Sequence, residues 1–146
     1  MPVTIRKATP DDSLSLAQLA SRMWEHDASA LEPEFSALTA SDAAACFLAL
    51  DGATAVGFAQ CQLRHDYVEG CETSPVGFLE GIYVDDTHRL SGVGRQLLSA
   101  CEDWARRVGC TEFASDCELD NTVSLAWHMK NGFAEMGRTI WFAKRL

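Results

Sequence analysis

The sequence predicts an α/β domain built on one mixed sheet with helices on both faces, and three observations carry that prediction. Strand-like and helix-like patterns follow one another in the order strand, helices, hairpin, strand, helix, strand, helix, strand. Asp51-Gly52 stands between two apolar runs as a hairpin turn. A strand-like stretch, "VGFLEGIYV", leads through a charged turn into a segment whose apolar residues recur every three and four. With 146 residues and 47% hydrophobic content the chain can fill one core, and no repeat, linker or low-complexity tract divides 1–146 into more than a single domain.

Each element follows from local chemistry. "VTIRKAT" alternates apolar and polar, so Val3 to Ala8 reads as a first strand. Pro10 and two aspartates open a helix whose buried face is Leu14, Leu16, Ala17, Leu19, Ala20 and Met23, ending near Trp24. "TASDAAA" offers a capped short helix, and "CFLALDGATAVGFAQCQLR" reads as two strands around Asp51-Gly52. Residues 65–75 form a polar loop carrying Asp66, Glu69 and Glu72, after which "VGFLEGIYV" is too apolar for an edge strand. The next helix sets Val93, Leu97, Cys101, Trp104, Ala105 and Val108 on one face, and Gly109 ends it. "CTEFASD" gives another strand, Asp120 or Asn121 caps a helix running to Asn131-Gly132, and "FAEMGRTIWFAKRL" closes the chain with one or two strands.

Charge and cysteine usage narrow the function. With 21 acidic against 12 basic residues and a formal charge of −9, most of the surface repels phosphate backbones, which argues against nucleic acid as a partner and suits a cationic small molecule, although an acidic surface also serves simply to keep a protein soluble. The six cysteines form no C-x-x-C pair and no zinc-type spacing with histidine, so no metal is expected, and most read as small core residues. The start "MPVTIRKATPDD" has no apolar stretch, and the longest apolar run, "AAACFLAL", is too short for a bilayer. A cytoplasmic protein with free thiols and no membrane contact is the expectation.

"HRLSGVGRQLL" carries the chemistry. Glycines at the start of a helix expose N–H groups and the positive end of the helix dipole, which suits a pyrophosphate, and Arg89 and Arg95 add positive charge. Two glycines alone fit a tight helix entry equally well. Neither the P-loop pattern nor the three-glycine dinucleotide turn is present.

Arg89-Leu90-Ser91-Gly92-Val93-Gly94 resembles the acetyl-CoA signature Arg/Gln-x-x-Gly-x-Gly/Ala of the GNAT family of N-acetyltransferases. The likeness extends through "LEGIYV", "DDTHR", the long helix, "TEFASD" and the segment from Asn121 to Asn-Gly-Phe at 131–133. It implies the GNAT fold, a mixed and mostly antiparallel sheet with helices on both faces. It also implies acetyl-CoA as cosubstrate, with the pantetheine arm on the main chain of Ile82 and Val84, Tyr83 between them, and the diphosphate on the amides of Leu90, Ser91, Gly92, Val93, Gly94 and Arg95. Asn121 would reach the arm from the next helix. "YVEGCETSPVGFLEGIYV" and "CTEFASDCELDN" look like the aminoglycoside 6′-N-acetyltransferase branch, which implies an antibiotic-resistance enzyme, a polycationic aminoglycoside acceptor and a homodimer.

Direct transfer needs a base for the amine, a donor for the developing oxyanion and a proton for the thiolate. Asp116, at the end of its strand, is the expected base, or else a turn cap. The amide of Ile82 or a neighbour is the donor that the resemblance implies. His128 stands where most of the family has tyrosine; a protonated imidazole would serve there, and a histidine with no catalytic role fits equally. Glu72, Glu80, Asp116, Glu118 and Glu135 would supply acid around the acceptor, with Trp24 and Tyr67 stacking on sugar faces, although Trp24 also suits the core. Cys117 has no adjacent histidine and is not read as a nucleophile. Two other readings remain open: an acetyltransferase acting on a polyamine or a protein amine, and a non-catalytic acyl-CoA-binding domain.

Overall fold

Residues 2–146 are described by a computed structural model, in which one five-stranded sheet of order β1-β2-β3-β4-β5 lies between helices. β1 (Thr4–Lys7), β2 (Ala44–Asp51), β3 (Thr54–Arg64) and β4 (Val76–Val84) follow one another in antiparallel pairs. β5 (Phe113–Ser115) is parallel to β4, which requires a crossover, supplied by α3 (Val93–Arg107). α1 (Ser13–Ser21) and α2 (Ala28–Ala40) precede β2, and α4 (Thr122–Lys130) follows β5.

The two sides of the sheet are packed by different helices. Leu16, Ala17, Leu19 and Ala20 of α1 and Leu31 and Phe35 of α2 cover Cys46, Leu48 and Phe58. Val93, Leu97, Cys101, Trp104 and Ala105 of α3 cover Ala45, Phe47, Ala59 and Leu79 on the other face. β2 alternates between these cores, so its apolar run is continuous because both of its faces are buried. Leu14 and Val108, expected in the core, are exposed at the ends of their helices. Arg6 of β1 forks onto Asp12 before α1 at 2.8 Å for each bond, and holds that carboxyl down at about 2. Four of the six free cysteines, at 46, 61, 101 and 110, are buried, and burial pushes the Cys46 thiol up to about 12.

Two expectations fail. "TASDAAA" is not a helix: α2 occupies residues 28–40 instead, and Ala44 already belongs to β2. Leu31 and Phe35, four apart, anchor α2 in the core, while Pro33 faces water, where the backbone bond it removes leaves a carbonyl that solvent can satisfy. The closing strands do not form either. Residues 133–146 make no regular element, because the segment lies against no strand of its own sheet and an extended chain without a partner gains no ladder bonds.

Candidate active site

β4 and β5 pair only over Gly77–Leu79 and Phe113–Ser115, and then separate. The cause lies on the other side of β4. Gln60 pairs with Gly81 and Cys61 with Leu79, so Glu80 is an extra residue, a bulge that bends β4 away from β5. Beyond it the edge of β4 that faced β5 has no strand partner, and that free stretch includes Ile82, Tyr83 and Val84. Ile82 and Val84 pack toward α3 and Tyr83 toward α1 and α2.

At its upper end β4 runs into the glycine motif. Leu90 has φ +62° and is fully exposed, and Gly92, the N-cap of α3, has φ +87°, a left-handed conformation that favours glycine. Among the described residues the amides of Leu90 to Arg95 have no hydrogen-bond partner; the helical ladder begins with Gln96 donating to the Gly92 carbonyl at 3.1 Å. These unpartnered donors stand at the start of a 15-residue helix, the arrangement that suits an anion. Arg89 donates from Nε to the Val84 carbonyl at 2.8 Å, pairs with Asp86 at 2.7 Å, and lies 5.6 Å from the Tyr83 ring. Arg89 thereby occupies one main-chain acceptor expected for the pantetheine arm. Ser91 donates to the His88 carbonyl, and Arg95 reaches Asn131 at 3.3 Å. Gly94 faces the ring of Trp127.

His88, which the sequence reading passed over, fixes this loop. Its Nδ1 lies 2.7 Å from Asp85 and its Nε2 3.0 Å from Asp51, on the hairpin turn between β2 and β3. The hydrogen bond to Asp51 and then that to Asp85 raise its pKa above the ordinary histidine value.

The lower end of the split gathers the acceptor residues. Asp116 is exposed directly after β5, and Glu80 is bound bidentately by Arg64 at 3.0 and 2.7 Å. The hydrogen bond that Arg64 donates to Glu80, and then the charges of Glu80 and Asp116, raise Arg64 above the usual arginine range. Glu80 is therefore a neutralised, positioned acid rather than a free one, and Arg64 is a residue the sequence reading missed. Trp24 stacks on Phe35 at 6.5 Å and meets Phe58 edge-on at 6.1 Å, with its ring edge against Gly81. It is a wall of the core that abuts the cleft, not an open stacking platform. Tyr67 is exposed, bonds Glu69 at 3.2 Å and borders a hollow of about 400 Å3 that Arg64 also lines. Two expected acids have partners of their own near them. The amide of Glu72 is held by Glu112, at the end of β5 opposite Asp116, and Glu135 is paired with Arg138 at 2.8 Å. Glu118 is exposed on the loop after Asp116.

α4 aims His128 at the same split. Asn121 caps the helix by accepting from the Ser124 amide at 3.0 Å. His128 Nδ1 lies 2.7 Å from the Ser124 carbonyl, which can only accept, so Nδ1 carries a proton. Nε2 then faces the Ser115 hydroxyl at 2.8 Å, one residue from Asp116, and Phe113, Trp127 and Phe133 enclose the pair. Nothing in the sequence marked Ser115; only the fold brings it against α4.

Comparison with known proteins agrees with this geometry. A family model described as the Acetyltransferase (GNAT) family matches residues 13–133. The chain is similar to an aminoglycoside N(6')-acetyltransferase type 1 of Stenotrophomonas maltophilia, 48% identical over 95% of this chain and 91% of that protein. It is also similar to one of Acinetobacter haemolyticus, 38% identical over 99% of each. The solved structure of AAC(6')-Iy in complex with the bisubstrate analogue CoA-S-monomethyl-acetylneamine matches it with a TM-score of 0.94 at 37% identity over 100% of both chains. A second AAC(6')-Iy structure, in complex with CoA, matches with a TM-score of 0.94 over 99% of this chain and 96% of that one. With its split sheet edge and bared helix start, and with a family match over residues 13–133, the chain belongs to the GNAT acetyltransferase family.

Proposed function

We propose that this chain transfers the acetyl group of acetyl-CoA to the 6′-amine of aminoglycosides by direct attack in a ternary complex. The observation that carries this reading is one continuous path: unpartnered amides at residues 90–95, an unpaired stretch of β4, and a carboxylate, Asp116, where β4 and β5 part. The residues fit the cosubstrate, since a diphosphate needs convergent N–H donors and the pantetheine arm needs a free strand edge. Relatives 48% and 38% identical bear the name of that activity.

Acetyl-CoA, when bound, would supply an activated acetyl group and a thiolate leaving group. The chain's own groups do the rest. The amides of Leu90 to Arg95 hold the diphosphate with the Arg89 and Arg95 guanidinium groups, and the main chain of Ile82, with what the Arg89 bond leaves free on Val84, orients the arm. Asn121 spends its carbonyl oxygen on the helix cap, leaving its NH2 to reach that arm. Asp116 takes the proton of the attacking ammonium group directly or through water, and the Ile82 amide donates to the oxygen where charge develops. In its imidazolium form His128 gives the Nε2 proton to the Ser115 oxygen as the Ser115 hydroxyl passes its own proton toward the leaving sulfur, which leaves the ring neutral with its proton on Nδ1. The acid around Asp116, Glu80 and Glu118 draws in the polycation, with Tyr67 at the rim. We place the enzyme in the cytoplasm, as a resistance enzyme acting as a homodimer. In support, the cysteines are free, and among the described residues no helix is long and apolar enough to cross a membrane.

Thiol release from acetyl-CoA with kanamycin, compared with the same drug lacking its 6′-amine, tests the reading. Turnover with kanamycin alone is expected. Equal turnover of both, or of neither, overturns it.

A further inference from the structure

Ser115 and His128 form a nucleophile and base pair of which amine transfer uses only the proton route. The Ser115 hydroxyl lies 2.8 Å from His128 Nε2, and His128 Nδ1 lies 2.7 Å from the Ser124 carbonyl and 3.3 Å from the Ser124 hydroxyl. Because that carbonyl only accepts, it keeps a proton on Nδ1, and Nε2 of the neutral ring is left as an acceptor for the Ser115 hydroxyl. A serine, a base within hydrogen-bond reach and a third group that orients the base are what an activated nucleophile requires. Here the third group is a main-chain carbonyl of α4.

The fold places this pair at the split in the sheet. Ser115 is the last residue of β5, in register with Leu79, whose carbonyl its hydroxyl also meets at 3.3 Å. A hydroxyl has one proton, and the shorter contact is the one to Nε2. Trp127 meets the His128 ring edge-on at 5.1 Å and Phe133 lies 5.0 Å from it, which fixes the plane of the base. Both residues are half-buried, so the pair is neither sealed in the core nor open to bulk water.

We propose that Ser115 accepts the acetyl group of acetyl-CoA when no amine fills the acceptor cleft, and that water then clears the ester. This rests on the acetyl-CoA reading above, in which the leaving sulfur lies within proton reach of the same hydroxyl. In the first step Ser115 Oγ bonds to the carbonyl carbon while its proton passes to Nε2. The C–S bond then breaks, and the thiolate takes that proton from the ring and leaves as the CoA thiol. In the second step water attacks the ester carbon with Nε2 as base, the C–Oγ bond breaks, and the ring returns the proton to Oγ. Acetyl-CoA and water alone thus give CoA thiol and acetic acid, which ionises. An amine in the cleft competes for the same carbon and is the stronger nucleophile, so the serine route shows only in its absence. It is also the slower route, since the Ser124 carbonyl carries no full charge to stabilise the imidazolium that forms, as the carboxylate of a triad does.

The test is to incubate the full chain with acetyl-CoA and no amine, sample it into acid for peptide mass spectrometry, and follow thiol release alongside. One acetyl group on the peptide that holds Ser115 is expected, with thiol release that continues past one per chain as the ester clears. Ser115→Ala should carry no acetyl group there. Both Ser115→Ala and His128→Ala should lower amine-free release by at least about tenfold, with circular dichroism and the Kd for CoA unchanged. A wild-type Ser115 without an acetyl group overturns the proposal, whatever the rate of release. So does an acetyl-Ser115 that forms equally fast in His128→Ala, and release that stops at one per chain overturns the clearing step. The kanamycin assay separates this from amine transfer: turnover of kanamycin with a bare Ser115 sinks the serine route alone, and an acetylated Ser115 without turnover of kanamycin sinks the amine transfer alone.

Discussion

His88 donates from both ring nitrogens to carboxylates, which only accept, so the pair of bonds to Asp51 and Asp85 requires the imidazolium. Thr87, whose hydroxyl lies 2.9 Å from Nδ1, adds no charge. The raised pKa means that the clamp is fully formed below about 6.5, the ordinary histidine value, and is lost as pH climbs through the raised one. Because the clamp ties the β2–β3 turn to the loop that presents the diphosphate amides, KM for acetyl-CoA should rise across that window while kcat holds. His88→Asn should show a high KM that is flat with pH, and a wild-type KM equally flat would dismiss the clamp. Asp116 and His128 act at the reacting end. Asp116→Asn should lower kcat by about 10²–10⁴-fold with little change in the Kd for CoA, measured by steady-state kinetics and calorimetry. Ser115→Ala and His128→Ala, acting on one proton route, should each cost about the same factor, and the double variant little more. Additive losses would mean that the two work separately.

The elements show how far local pattern reaches. α3 was legible because six apolar residues recur on one stripe, and five of them are buried. The hairpin at Asp51-Gly52 and the cap at Asn121 were legible from turn and cap chemistry, since Gly52 adopts φ +62° and Asn121 accepts from Ser124. α2 was not, because Pro33 reads as a breaker until the exposed side of the helix is known. Site acids were legible only as a sum. Whether an acid is free depends on its partner, which can come from a neighbouring strand, as Arg64 does to Glu80, or from three residues on, as Arg138 does to Glu135. The bulge at Glu80 is likewise a property of two strands and of neither alone. It sets Gly81 under the Trp24 ring, where an added Cβ would lie 2.6 Å from Cζ2. Trp24 is braced by Phe35 and Phe58 and cannot swing aside freely. Gly81→Ala should therefore cost about 1–3 kcal/mol in urea unfolding and raise KM for the aminoglycoside more than KM for acetyl-CoA. Unchanged stability would show that Trp24 is free to move.

At the scale of the whole molecule, the tail is the part that neither sequence pattern nor a single chain explains. The segment "FAEMGRTIWFAKRL" reads as one or two closing strands, yet a strand is defined by its neighbour, and among the described residues 133–146 have no strand partner in the sheet.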